Sequence, residues 1–188
     1  SMNIVITGHI DHGKSTLIGR LLFDTKSVPD SMIDEVRAAS GEGKPMEFAY
    51  FLDCLEEERA QNITIDTTQT FFKTTKRRYT IIDAPGHKEF LRNMVSGASL
   101  AEAAILMIDA ERGIEEQTRR HVAILQLLGV KQIIVAINKM DAVGYDERRF
   151  LTLRDEIVEF FGRLGAQPTT VIPVAAKLGE NIAQSSQN

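Results

Sequence analysis

The chain has 188 residues, 43% of them hydrophobic and 26% charged, with 22 basic against 26 acidic residues and a formal net charge of -4. That size holds one domain with a full core rather than two large independent ones, and the slight acidity argues against a broad nucleic-acid-binding surface, so any phosphate recognition must be local. A single cysteine, Cys54, excludes an internal disulfide framework and fits a reducing compartment.

Asn3-Ile4-Val5-Ile6-Thr7 is a short apolar run that predicts a strand, and residues 15–23 carry Leu17, Ile18, Leu21 and Leu22 at helical spacing. Residues 24–62 are less regular, with helical candidates at 30–39 and 46–59 separated by Ser40-Gly41-Glu42-Gly43-Lys44-Pro45. Cys54 falls in the second candidate and reads as a small buried side chain rather than a nucleophile. Residues 63–72 have strand character, and Lys76-Arg77-Arg78 marks a turn before a strand at 79–83. The remainder alternates: strand 104–108, helix 115–128, strand 132–137, helix 147–164, strand 170–174. This order predicts an α/β fold with a mostly parallel six-stranded sheet, one antiparallel edge strand from the first hairpin, and helices on both faces. No signal peptide is visible and no apolar run approaches the roughly 20 residues of a membrane span, so a cytoplasmic setting is expected. Ser1 ahead of Met2 and the polar stretch 183–188 read as the edges of a piece excised from a longer protein.

The strongest chemical signal is Gly8-His9-Ile10-Asp11-His12-Gly13-Lys14-Ser15, a glycine, four residues, then Gly-Lys-Ser, set between a predicted strand and a predicted helix. In that setting backbone N–H groups and a helix N-terminus cradle phosphates, a lysine reaches the terminal phosphates and a serine hydroxyl can ligate Mg²⁺. The phosphate-binding set is Gly8 through Ser15 with Thr16. His9 and His12 suggest a metal pair, but two histidines three apart in such a loop read as structural or directed at backbone. His121 reads as a helix packing or surface residue.

A phosphate loop does not choose a base. Asn138-Lys139-Met140-Asp141 follows the predicted strand 132–137 directly. Guanine offers two adjacent donors that one carboxylate accepts together, whereas adenine presents an acceptor at the corresponding ring nitrogen, so Asp141 at a strand end is suited to guanine. Read singly, Thr64 is an ordinary strand threonine, Asp83 a turn or helix cap before Pro85, and His87 a local cap or ion-pair partner. Ile10 stands apart, because an apolar residue within a polar loop has no core of its own to join.

Taken together, Gly8 to Ser15, Ile63-Thr64-Ile65, Asp83-Ala84-Pro85-Gly86-His87 and Asn138 to Asp141 resemble, in order and spacing, the G domain of the translation-factor GTPase family, over residues 3–182. The resemblance implies a P-loop NTPase G domain binding GTP or GDP with Mg²⁺. It implies that Ser15, Thr64 and Asp83 serve the ion, with Lys14, Thr64 and His87 the catalytic set. Gly86 would sense the terminal phosphate, His87 would position water behind an apolar gate of Ile10 and Ile63, Lys139 would pack along guanine, and Asn138 would brace the loops. Ala175, Ala176 and Lys177 match the last base-contacting loop, with the Ala176 N–H directed at the guanine carbonyl. Two departures stand out: Gln61-Asn62 where the family often has Arg-Gly, and Ala175 where it has a serine that steadies the base-reading acid.

Two branches of the family compete. Residues 15–25, Gln61, Gln117-Thr118-Arg119-Arg120-His121 and 181–185 look like the large subunit of sulfate adenylyltransferase, which implies a sulfate adenylyltransferase small subunit as partner and GTP hydrolysis coupled to adenylyl sulfate synthesis. The loops Gly8 to His12 and Ile82 to His87 also look like archaeal and eukaryotic elongation factors, which implies aminoacyl-tRNA and the ribosome as partners. The sequence reading favours the sulfate branch. Either branch implies C-terminal β-barrel domains beyond this single G domain, 1–188, and no membrane partner. A third reading is a nucleotide-gated binding module with negligible turnover.

Overall fold

The computed structural model describes residues 1–61, 69–83 and 101–186. Along them run β1 (Met2–Gly8), α1 (Lys14–Asp24), α2 (Asp30–Ser40), α3 (Tyr50–Gln61), β2 (Gln69–Lys73), β3 (Arg78–Asp83), β4 (Ala103–Asp109), α4 (Glu116–Leu127), β5 (Gln132–Asn138), a 3-10 turn (Met140–Val143), α5 (Glu147–Arg163) and β6 (Thr170–Pro173). The strands form one sheet in the order β2-β3-β1-β4-β5-β6. The β2–β3 pair is antiparallel and every other pair parallel. The predicted architecture is therefore the one observed, with the hairpin strand β2 at the edge.

Two cores follow from the two faces that alternate along each strand. Ile4, Ile6, Met107 and Ala136 face α1, α2 and α3, meeting Leu17, Ile18, Leu22, Val36 and Phe51. Val5, Leu106, Ile108, Val135 and Ile137 face α4 and α5, meeting Val122, Leu125, Leu153, Ile157 and Phe161. Strands buried on both sides read as continuous apolar runs, which is the pattern of β1, β4 and β5.

Helix boundaries depart from the sequence reading where backbone contacts intervene. The helix expected at 46–59 begins at Tyr50 instead. Glu47 N–H donates to Ser40 Oγ at 2.8 Å, and the Phe48 carbonyl sits against Gly19, where a Cβ would lie 1.8 Å from its oxygen. At α5 the expected start is observed, because Asp146 caps the helix by accepting from Arg148 N–H at 2.9 Å. Of the strand expected at 63–72, residues 63–68 lie outside the described residues.

Strands β4 and β5 each run one residue past their predicted ends, and their register pairs Asp109 with Asn138. Chain order reverses about β1, whose neighbours are β3 and β4. Open α/β sheets bind ligands beyond the carboxyl ends of their strands at such a switch point, and there β1 runs into Gly8.

Candidate functional site

The loop after β1 turns into α1 through Gly13, the helix N-cap, at φ 92. This left-handed backbone favours glycine, and a Cβ at Gly13 would stand 2.3 Å from Asn138 Nδ2. Lys14 follows, its Nζ donating to the Gly8 carbonyl at 2.7 Å and the His9 carbonyl at 3.0 Å. The ammonium thus lies over the loop's own carbonyls, beside the first-turn amides that an α-helix leaves without intrahelical partners. Ser15 is exposed on that turn and Thr16 half-buried behind it. Asp11 is exposed at φ 63. Ile10 is 49% exposed, as an apolar residue with no core to join should be. His12 is fully buried with Nδ1 at 3.3 Å from the Met107 carbonyl, so it is backbone-directed as expected.

Asn138, the buried last residue of β5, joins three loops with one carboxamide. Its Nδ2 donates to the His12 carbonyl at 2.9 Å, and its Oδ1 accepts from Ala176 N–H at 3.0 Å. The second bond modifies the sequence reading, which directed the Ala176 amide at guanine; here that amide braces Asn138. Ala175 and Ala176 are buried and Lys177 is exposed. Without a hydroxyl at Ala175, the loop is held through its backbone, Ala175 N–H donating to the Glu180 carbonyl at 3.2 Å.

Lys139 adopts left-handed backbone at φ 63 and places Nζ 2.7 Å from Asp109 Oδ2. Asp109 escaped the sequence reading. It is buried at the end of β4, its Oδ1 accepting from Glu111 N–H at 2.8 Å and Arg112 N–H at 3.3 Å. Burial pushes its carboxyl up, but the Lys139 hydrogen bond, the loop amides and the Lys139 charge outweigh it and hold the pKa below the usual value of 3.8. The available signal was an acid closing a strand adjacent to the one that ends in Asn138.

Asp141 lies half-buried in the 3-10 turn, which is anchored by Met140 N–H donating to the Val174 carbonyl at 3.2 Å. Behind it the Tyr145 hydroxyl donates to Glu180. That bond, with burial and the negative charges of Glu180 and Asp141, raises the phenol to about 12. Asp83 closes β3 in register with Ile6. Its side chain, together with Ile63, Thr64, Gly86 and His87, lies outside the described residues, so the switch and gate expectations are carried by sequence alone. Cys54 is half-buried against the α1–α3 core, and His121 is a buried packing residue of α4.

Whether a nucleotide and Mg²⁺ fit is tested by the cradle itself. The free amides of the first helical turn, a lysine over the loop and an exposed serine on that turn suit phosphate oxygens and a hard cation.

The sequence matches the family described as elongation factor Tu GTP binding domain over residues 1–186. Elongation factor 1-alpha of Thermococcus kodakarensis is 46% identical over 185 residues, 98% of this chain and 43% of that protein. The Methanoculleus marisnigri elongation factor 1-alpha is 45% identical over 191 residues, 100% of this chain and 45% of that protein. The chain therefore spans less than half the length of these relatives. Among solved structures, Sup35 complexed with GMPPNP superposes with TM-score 0.67 at 28% identity, over 98% of this chain and 39% of that one. A bacterial selenocysteine-specific elongation factor, EF-Sec, gives TM-score 0.65 at 27% identity, over 96% of this chain and 26% of that one.

These relatives overturn the sulfate-activation branch and, with it, the sulfate adenylyltransferase small subunit as partner. The stretches that favoured it report packing. Leu17, Ile18 and Leu22 are core of α1, and Thr118 and His121 are the buried face of α4. Asn181 forms a local turn, donating to the Pro173 carbonyl at 3.1 Å and accepting from Ser186 N–H at 2.6 Å. With the phosphate loop, the Asn138 brace and the sheet order on one switch point, the chain belongs to the GTP-binding domain family of elongation factor Tu, the translation-factor GTPases.

Proposed function

We propose that this chain is the nucleotide switch of an elongation-factor-1-alpha-like protein, binding GTP and GDP with Mg²⁺ and working with aminoacyl-tRNA and the ribosome in a cytoplasmic setting. The observation that carries the reading is Asn138, which holds the phosphate loop and the Ala176 loop together through His12 and Ala176. The similarity to elongation factors 1-alpha supports the translation setting. The remaining length of those relatives supports further domains outside this one, β-barrels on the sequence reading.

In this reading the amides from Gly8 to Thr16 receive phosphate oxygens, and Lys14 exchanges the Gly8 and His9 carbonyls for the terminal phosphates. Asp141 accepts the paired guanine donors, and Lys139, held by Asp109, lies along the ring; Ala175, Ala176 and Lys177 close the far side. Ser15, Thr64 and Asp83 would hold Mg²⁺, which when bound neutralises charge between the terminal phosphates. Gly86 follows the terminal phosphate, and His87 orients a water for in-line attack once Ile10 and Ile63 part. Hydrolysis asks for positioning and charge stabilisation rather than covalent chemistry, and Lys14, Thr64 and His87 supply them. Phosphate release from GTP should be slow in isolation, and His87→Ala should lower it roughly tenfold or more, in the range of a lost acid–base or positioning group. Turnover unchanged by that substitution would remove His87 from the mechanism.

A further inference from the structure

Two histidines of the phosphate loop and one acid at the head of α4 meet in a cluster that the nucleotide reading does not use. His9 Nδ1 lies 3.2 Å and His12 Nε2 3.3 Å from the same atom, Glu115 Oε2. One ligand atom from each residue falls within 4.8 Å of the others. His12 is wholly buried, while the His9 and Glu115 side chains are 24% and 30% exposed. The cluster has a closed floor and an open side.

The protons of this cluster do not balance by hydrogen bonding. The Met107 carbonyl beside His12 Nδ1 is an acceptor only, so Nδ1 carries the ring proton and Nε2 presents a lone pair. Glu115 Oε2 faces it with another lone pair, and neither atom has a hydrogen-bond partner. A cation between the atoms answers both lone pairs.

Glu115 Oε2 stands from each histidine nitrogen at the spacing of ligands around a small transition metal. Ligands about 2.0–2.2 Å from a tetrahedral ion stand roughly 3.3–3.6 Å from one another, close to the spacing from Glu115 Oε2 to both histidines. The Met107 carbonyl on the other His12 nitrogen is the orienting partner that metal-bound imidazoles require. His9 Nδ1 is also 2.9 Å from the Ile10 carbonyl, to which it donates without metal; ligation through Nδ1 moves the ring proton to Nε2 and leaves that carbonyl as a further oxygen donor at the open side. Two imidazoles and a carboxylate suit zinc, cobalt or nickel and select against Mg²⁺, which prefers oxygen ligands.

We propose that His9, His12 and Glu115 form a transition-metal site, separate from the nucleotide's ion, that ties the phosphate loop to the head of α4. The site stands on the geometry of these three side chains and does not rest on the GTPase reading. The test is titration of the GDP-bound protein with cobalt(II) in excess Mg²⁺, followed by visible absorption. One equivalent should give the intense bands of low-coordinate cobalt, and zinc should displace them. Glu115→Ala and His9→Asn should each weaken cobalt binding about tenfold or more, in the range of lost metal-site support, and Cys54→Ser should not. X-ray absorption of the wild-type cobalt complex should show two imidazoles, an arm that does not depend on variants folding. Absence of the bands at stoichiometric cobalt, bands that survive both substitutions, or a spectrum without imidazole would overturn the site, whether or not GDP still binds.

Discussion

At the scale of single residues, Asn138 and Asp109 hold the base-reading loop from two directions. Asn138→Ala would strand the buried His12 carbonyl and Ala176 N–H. Each such group costs about 1–3 kcal/mol, so a loss of roughly 2–4 kcal/mol in denaturant melts is expected, with GDP binding weakened about tenfold or more. Asp109→Asn removes the charge that steadies Lys139, and calorimetric titration should show GDP binding weakened several-fold. The depressed Asp109 pKa sets the sign of its pH effect. Its stabilisation is full above the ordinary value of 3.8 and is lost as pH falls through the lower folded value, so the melting difference from Asp109→Asn should shrink only below that pH. Asp141, Lys139 and the phosphate-loop residues were legible because each belongs to a contiguous motif. Asp109 and Glu115 were not, since only the register of β4 against β5 and the packing of α4 bring them near Lys139 and the loop histidines.

At the scale of elements, periodicity revealed the strands and helices, and the misplaced boundary was the start of α3. No local pattern encodes the seating of the Phe48 carbonyl on Gly19, which comes from α3 packing against α1. Gly19→Ala would force those helices apart, because its Cβ would lie 1.8 Å from that carbonyl oxygen. Overpacking of this kind costs typically 1–3 kcal/mol, and a melting temperature lowered by several degrees is expected in thermal scans. The base loop has its own tether in the bond from Tyr145 to Glu180. With the folded phenol raised from 10.0 to about 12, its stabilisation is complete below pH 10 and fades as pH rises towards 12. Tyr145→Phe should cost about 1 kcal/mol at neutral pH, allowing for partial exposure, and the difference in thermal midpoint should close between those pH values.

At the scale of the molecule, the sheet order places the phosphate loop after β1 and the base-reading loop after β5, with β4 between them, so phosphate and base are read from the same edge of one sheet. The strand–helix alternation predicted that arrangement, and the ordered motifs identified the family. The branch within it was misjudged, because α1 and α4 residues that serve the shared core were taken as marks of a partner. The sulfate reading fails on relatives that are elongation factors over 98–100% of this chain. The central claim is a guanine-specific switch, and nucleotide competition on the wild type and Asp141→Asn tests it most directly. Wild type should prefer GDP over ADP and XDP by about a hundredfold or more, as a site built around paired hydrogen bonds does, and Asp141→Asn should invert the preference towards XDP. Equal affinity for GDP and ADP, or an Asp141→Asn variant that retains the wild-type preference, would contradict the account.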